Sequence, residues 1–176
     1  MVNNALEAKL MLLVFLLTTI FMSGASPKTA IRESAAFKSV ACDFFTYDNA
    51  QKLIGRSTGV DDGMQDITEG RKWGCTFTAS DKGEKPPKLY FVLYKATSED
   101  IAKQSFETVR QSNKKVDGFE EWLGVGDEAV IHSDAPNFHF VMVRKGVKTI
   151  RVKINPAEGV SLADIKAVAS SLVPKM

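Results

Sequence analysis

The chain has 176 residues, of which 44% are hydrophobic and 25% charged, and its formal net charge is +2. These proportions are typical of globular domains. The small net charge excludes the strong positive field used by nucleic-acid-binding proteins, so we expect no nucleic-acid partner.

The N-terminal segment predicts export. Residues 10–22, LMLLVFLLTTIFM, form an apolar run. This run is short for a bilayer-spanning helix, which needs about 20 residues, but it has the length of a signal-peptide core. Lys9 precedes it, and the small residues that end at Ala25 match a cleavage site. An uncleaved anchor is the alternative.

The domain organisation follows from this cleavage. We expect a signal peptide at residues 1–25, a lead-in at 26–41 and a single domain at 42–176. The protein is then secreted or periplasmic, with no membrane span after cleavage.

The two cysteines, Cys42 and Cys75, predict a disulfide. An even pair in an oxidising compartment is most simply a bond. A metal pair or a reactive thiol is the alternative, but neither cysteine lies in a C-x-x-C and no histidine stands nearby with ligand spacing.

The first half of the domain shows one helical and two strand patterns. Residues 44–55 predict a short helix capped by Thr46. Residues 56–71 are polar and rich in glycine, so we expect a loop with at most one weak strand. Alternation over 71–79 predicts a half-buried strand, and 88–95, apolar on both faces, predicts a central one.

The second half predicts two helices around three strands. Helical spacing covers 97–113 and the amphipathic segment 161–173. A strand begins near Glu128, and 137–155 reads as a hairpin with Lys145-Gly146 at its tip. The expected fold is therefore α+β: an antiparallel sheet of five to six strands with two to three packed helices.

The hairpin supplies the best candidate for a binding face. We expect Val141 opposite Ile150 and the second hairpin strand nearer the outside of the sheet. Aromatic and cationic side chains on one face suit an anionic or aromatic ligand. The alternative is a helix-covered face whose charges reach the rim. This candidate face consists of Phe138, Phe140, Met142, Arg151 and Lys153.

The motifs around the cysteines resemble a known group of domains. Cys42, Thr46, Ala50, Leu53 and Gly55 form the pattern C-x-x-x-T-x-x-x-A-x-x-L-x-G, and WGCTF and GVGDEAV follow downstream. Together they resemble small secreted domains of actinobacterial cell-envelope lipoproteins and the extracellular sensor domain of a mycobacterial serine/threonine kinase. The resemblance implies an antiparallel sheet with helices, one such disulfide, and a ligand-binding or sensing role. The lipid-attachment cysteine of those lipoproteins is absent here.

The stretch GVGDEAVIHS at 124–133 invites a catalytic interpretation. Glu128 and His132 would lie about 13 Å apart along a strand, too far for a hydrogen bond. We therefore predict a structural turn at Gly124, Gly126 and Asp127.

No cofactor or metal site is expected. His132 and His139 could pair across strands, but no third ligand is indicated. DDGMQD at 61–66 lacks the spacing of a calcium loop.

Because the amino-acid sequence indicates no nucleophile–base pair, we expect that the chain is not an enzyme. The favoured hypothesis is a non-catalytic binding or sensor-like domain that acts on an envelope component or a partner protein. A structural or inhibitory protein and a small secreted hydrolase are the alternatives. The sequence does not predict the oligomeric state.

Overall fold

The computed structural model of the protein describes residues 40–176. The signal peptide expected at 1–25, and the lead-in up to residue 39, lie outside the described residues.

This part of the chain forms four α-helices and seven strands. The helices are α1 (Val40–Phe44), α2 (Tyr47–Ile54), α3 (Glu99–Asn113) and α4 (Leu162–Leu172), which continues into a 3-10 turn at Val173–Lys175. The strands are β1 (Ser57–Ile67), β2 (Gly70–Ala79), β3 (Lys88–Ala96), β4 (Phe119–Glu121), β5 (Glu128–Asp134), β6 (Phe138–Lys145) and β7 (Lys148–Asn155).

All seven strands form one antiparallel sheet in the order β1-β2-β3-β7-β6-β5-β4. The predicted α+β class is confirmed. The predicted strand and helix numbers are too low. The helix predicted at 44–55 corresponds to α2 alone, because α1 ends where that helix was expected to begin, and the three-residue β4 is too short to show a strand pattern in the sequence.

Strand β1 occupies most of residues 56–71, where we expected a loop with at most one weak strand. It is an edge strand, paired only with β2, and most of its side chains are exposed. A strand that buries neither face shows no apolar alternation, so the period-2 signal is missing. A bulge at Asp62 further interrupts the pattern, where the Thr76 hydroxyl donates to the Asp62 carboxylate at 2.7 Å.

Helices cover both faces of the sheet, which gives three layers. Helices α1, α2 and α4 pack on one face and enclose the main core. Helix α3 lies alone on the other face, over β3, β7, β6 and β5. Because alternate side chains of a strand point to opposite faces, each strand contributes to both layers.

The β6–β7 hairpin has a two-residue turn at Gly146-Val147, with Lys145 opposite Lys148. Val141 therefore faces Val152 and not Ile150, a shift of two positions from the prediction. A shift of two keeps every side chain on its predicted face.

Strand β7 lies in the middle of the sheet, between β3 and β6. The expectation that it lies near the outside is wrong. Its basic face suggested exposure, but α3 packs against β7: Thr149 is buried on that face, Arg151 is half-buried, and Lys153 and Asn155 are exposed.

The disulfide between Cys42 and Cys75 is present, with Cα atoms 5.4 Å apart. It joins α1 to β2, and Cys75 is completely buried in the main core. Closing a loop between residues 33 positions apart restricts the unfolded chain and stabilises the fold by roughly 3–4 kcal/mol in the chain-entropy model.

The double variant C42A/C75A should lose about 2–4 kcal/mol of unfolding free energy in urea. Wild-type protein unfolded with reductant present should show the same loss, because both treatments release the same cross-link. Equal stability with and without reductant would contradict the stabilising role.

Candidate functional site

A cationic cleft lies between the C-terminal half of α3 and strands β5, β6 and β7. Its volume is about 300 Å³, at the lower end for small-molecule sites. We call it the α3 cleft, and its lining residues are Val109, Asn113, His132, Phe138, Phe140, Arg151 and Lys153.

Helix α3 is held over the sheet by an apolar cluster. Phe106 packs on Val130 and Met142, all buried. At the helix start, the Ser98 hydroxyl accepts a hydrogen bond from the Ile101 N–H at 3.3 Å, which satisfies a free backbone donor. The helix therefore forms a fixed wall of the cleft.

An ion-pair network fixes the other end of α3. The Arg110 guanidinium donates to Glu107 on the helix and to Glu121 on β4. Hydrogen bonds from Arg110 and Gln111 lower the pKa of Glu107 to about 2. The network ties α3 to the edge strand β4, next to the cleft.

Arg151 is the unusual group in the cleft. It is half-buried, and burial lowers the pKa of its guanidinium. Its Nε has no hydrogen-bond partner, and no carboxylate within residues 40–176 forms an ion pair with it. A desolvated charge without a partner is costly, so the arginine has capacity for an external anion.

Arg144, on the same face of the same hairpin, is paired with two acids. Its side chain is 4% exposed and forms ion pairs with Glu128 and Asp127. It also donates to the Gly146 carbonyl at 3.0 Å. Within residues 40–176 the fold thus supplies acids to the buried Arg144 and none to the half-buried Arg151.

Two further side chains shape the mouth of the cleft. The exposed Lys153 places its Nζ 5.3 Å from the centre of the Phe138 ring. Phe138 in turn contacts His132 edge-on, with ring centres 4.8 Å apart. The cleft therefore combines two cations with aromatic surface.

The structure brings together four of the five residues of the candidate face. Phe138, Phe140, Arg151 and Lys153 line the cleft. Met142 does not: it is completely buried beneath Phe106 of α3. The prediction that Met142 belongs to the binding face is therefore wrong, because α3 covers this part of the sheet.

The predicted turn residues lie at the opposite end of the hairpin. Gly126 has φ +62°, and a Cβ there would come within 2.5 Å of the Arg144 carbonyl oxygen. Asp127 accepts hydrogen bonds from the Gly146 N–H at 2.8 Å and from Arg144 at 3.0 Å. Gly124 also has positive φ, +81°. Gly126 and Asp127 therefore hold the β6–β7 turn.

The two histidines lie on opposite faces of the sheet. His132 shares the face of Phe140, whereas His139 lies opposite Ser133 and Ile154. A joint metal site is therefore ruled out by geometry. No cluster of three potential metal ligands occurs among the described residues.

Sequence reasoning missed Asn113, Val109 and the place of His132 in the cleft. The first two lie in the last turns of a helix whose position on the sheet is not encoded locally. One signal was available for His132. It lies two residues after Val130 on the same strand, so both side chains point to the face that α3 covers.

The chain matches no protein-family model, no curated protein and no solved structure. Across residues 40–176, no helix combines the length and apolar character needed to cross a bilayer.

Two matched substitutions distinguish the arginines. R144M should lower the unfolding free energy by about 2–3 kcal/mol, because it removes charge-assisted hydrogen bonds. R151M should leave it unchanged or raise it by up to about 1 kcal/mol, because it removes an unpaired desolvated cation.

Denaturant unfolding of both variants beside the wild type checks this difference. Equal destabilisation by R151M and R144M would show that Arg151 is a structural residue.

Proposed function

We propose that the protein is an exported, non-catalytic binding domain of the cell envelope that takes an anionic ligand in the α3 cleft. One observation carries the proposal: Arg151 is held half-buried with no acidic partner among the described residues. A half-buried cation without a partner lowers the free energy of unfolding, so stability alone would favour an apolar side chain at this position. Binding of an anion would account for the arginine.

The surroundings of Arg151 support an anionic ligand with an apolar part. Lys153 adds a second, exposed cation on the same face of β7. Phe138 and Phe140 add apolar surface beside it. A guanidinium can also bind a carboxylate or phosphate in a two-point geometry.

Export is supported by the sequence and the disulfide together. The apolar run at 10–22 has the length of a signal-peptide core. Disulfides persist in oxidising compartments and are rare in the cytosol, and Cys42 and Cys75 are bonded.

The ligand can be sought directly. The full chain is expressed with its own N-terminus in a bacterial host, and the exported protein is examined by native mass spectrometry. We expect a chain that begins at Ser26 and carries an anionic small molecule. R151M should lose the molecule, whereas K103M, which removes one positive charge from α3 outside the cleft lining, should keep it.

A ligand that remains on R151M, or an exported wild-type chain without any bound molecule, would contradict the proposal. A chain that retains residues 1–25 would contradict its export.

A second candidate function, a small secreted hydrolase, rests on one observed pair. The Ser133 hydroxyl lies 2.8 Å from His139 Nδ1, and His139 Nε2 donates to the Val160 carbonyl at 3.1 Å. This is a nucleophile–base contact that the sequence did not reveal. His139 is only 4% exposed, however, and no carboxylate within 40–176 bonds to its ring to stabilise an imidazolium.

A fluorophosphonate probe separates the two functions, because it labels serines that a base activates. We expect no modification of Ser133 at probe concentrations that fully label a known serine hydrolase. Labelling that disappears in S133A would establish the hydrolase instead.

A further inference from the structure

The orientation of His132 is fixed by Asn113 at the end of α3. The Asn113 side-chain N–H donates to the Val109 carbonyl at 2.7 Å. Its Oδ1 therefore faces His132, whose Nδ1 lies 2.8 Å away. Because an amide oxygen only accepts, Nδ1 carries the hydrogen.

This arrangement leaves the other ring nitrogen as an acceptor. With Nδ1 protonated in a neutral ring, Nε2 presents a lone pair. His132 is 7% exposed, and its Nε2 is buried without a hydrogen-bond partner in the described chain. A buried acceptor without a donor carries a desolvation penalty that a ligand donor can relieve.

The acceptor and the cations lie on opposite sides of an aromatic floor. Lys153 pairs with Phe140 on β6, and Phe140 pairs with His132 on β5. Two strand spacings of about 4.8 Å separate the Lys153 and His132 backbones by about 10 Å. Arg151 is two residues from Lys153 on the same face, and Phe138 contacts both Lys153 and His132.

We propose that the α3 cleft takes an aromatic acid that carries a hydroxyl or N–H donor across the ring from the acid group. The acid group binds Arg151 and Lys153, the ring packs on Phe138 and Phe140, and the donor bonds to His132 Nε2. His132 is thus the residue that determines specificity. This inference rests on the proposed anion-binding function and adds the ligand class to it.

The test uses benzoate, its three monohydroxy isomers and the three matching methoxybenzoates as probes. Each is titrated into ¹⁵N-labelled mature protein at about pH 8, where histidine side chains are mostly neutral. At least one hydroxy isomer should bind about tenfold more tightly than benzoate, because only it satisfies the buried acceptor. The matched methoxy compound, which lacks the donor, should lose this advantage.

Two variants and one direct signal complete the design. In H132F the hydroxy isomer should bind no better than benzoate, whereas R151M should weaken every acid in the series. The ¹⁵N resonance of His132 Nε2 should shift on binding of the hydroxy isomer only. The ligand series and this resonance need only wild-type protein, so the test stands even if H132F does not fold.

The outcomes separate the two proposals. Equal binding of benzoate and all its derivatives, lost in R151M, would overturn the ligand class and leave the anion-binding function standing. Hydroxy-dependent binding that persists in H132F would overturn the role of His132. No binding of any acid would overturn both.

Discussion

The architecture of the site depends on the register of the β6–β7 hairpin. Asp127 accepts hydrogen bonds from both Gly146 and Arg144, so the acid that precedes β5 holds the turn of the next hairpin. Gly126 allows the chain to approach the Arg144 carbonyl closely. A slip by one residue would turn Arg151 into the main core and Val152 towards α3. The stretch at 124–133, which invited a catalytic interpretation, therefore fixes the hairpin register that positions Arg151 and Lys153.

The two arginines on this hairpin differ in their acidic partners. Arg144 is buried with two acids and a carbonyl, and it holds the turn. Arg151 is half-buried on the same face without an acid in the described chain. Helix α3 stands over the sheet beside it and removes water without supplying a counter-charge. An unpaired charge at this position costs stability, and the anion-binding function that we propose would account for its presence.

Much of the fold could be predicted because local patterns encode it. The disulfide followed from the cysteine count and from the expectation of export, and the helices α3 and α4 followed from apolar spacing. Strand β1 could not be recognised, since an exposed edge strand has no buried face to produce alternation. The central place of β7 was missed because its charges suggested exposure, whereas strand order depends on long-range pairing. Four of the five residues of the candidate face line the cleft, because a register error of two positions leaves each side chain on the same face of its strand. Met142 was misjudged and Asn113 was missed, because the docking of α3 decides that the first is buried and the second lines the cleft.

The most direct measurement is a crystal structure of the chain purified from a periplasmic or secreted fraction. We expect electron density for an acid group in contact with the Arg151 guanidinium, with the remainder of the molecule against Phe138 and Phe140. An Arg151 side chain paired with a carboxylate of its own chain, or a cleft that contains only solvent, would contradict the proposal.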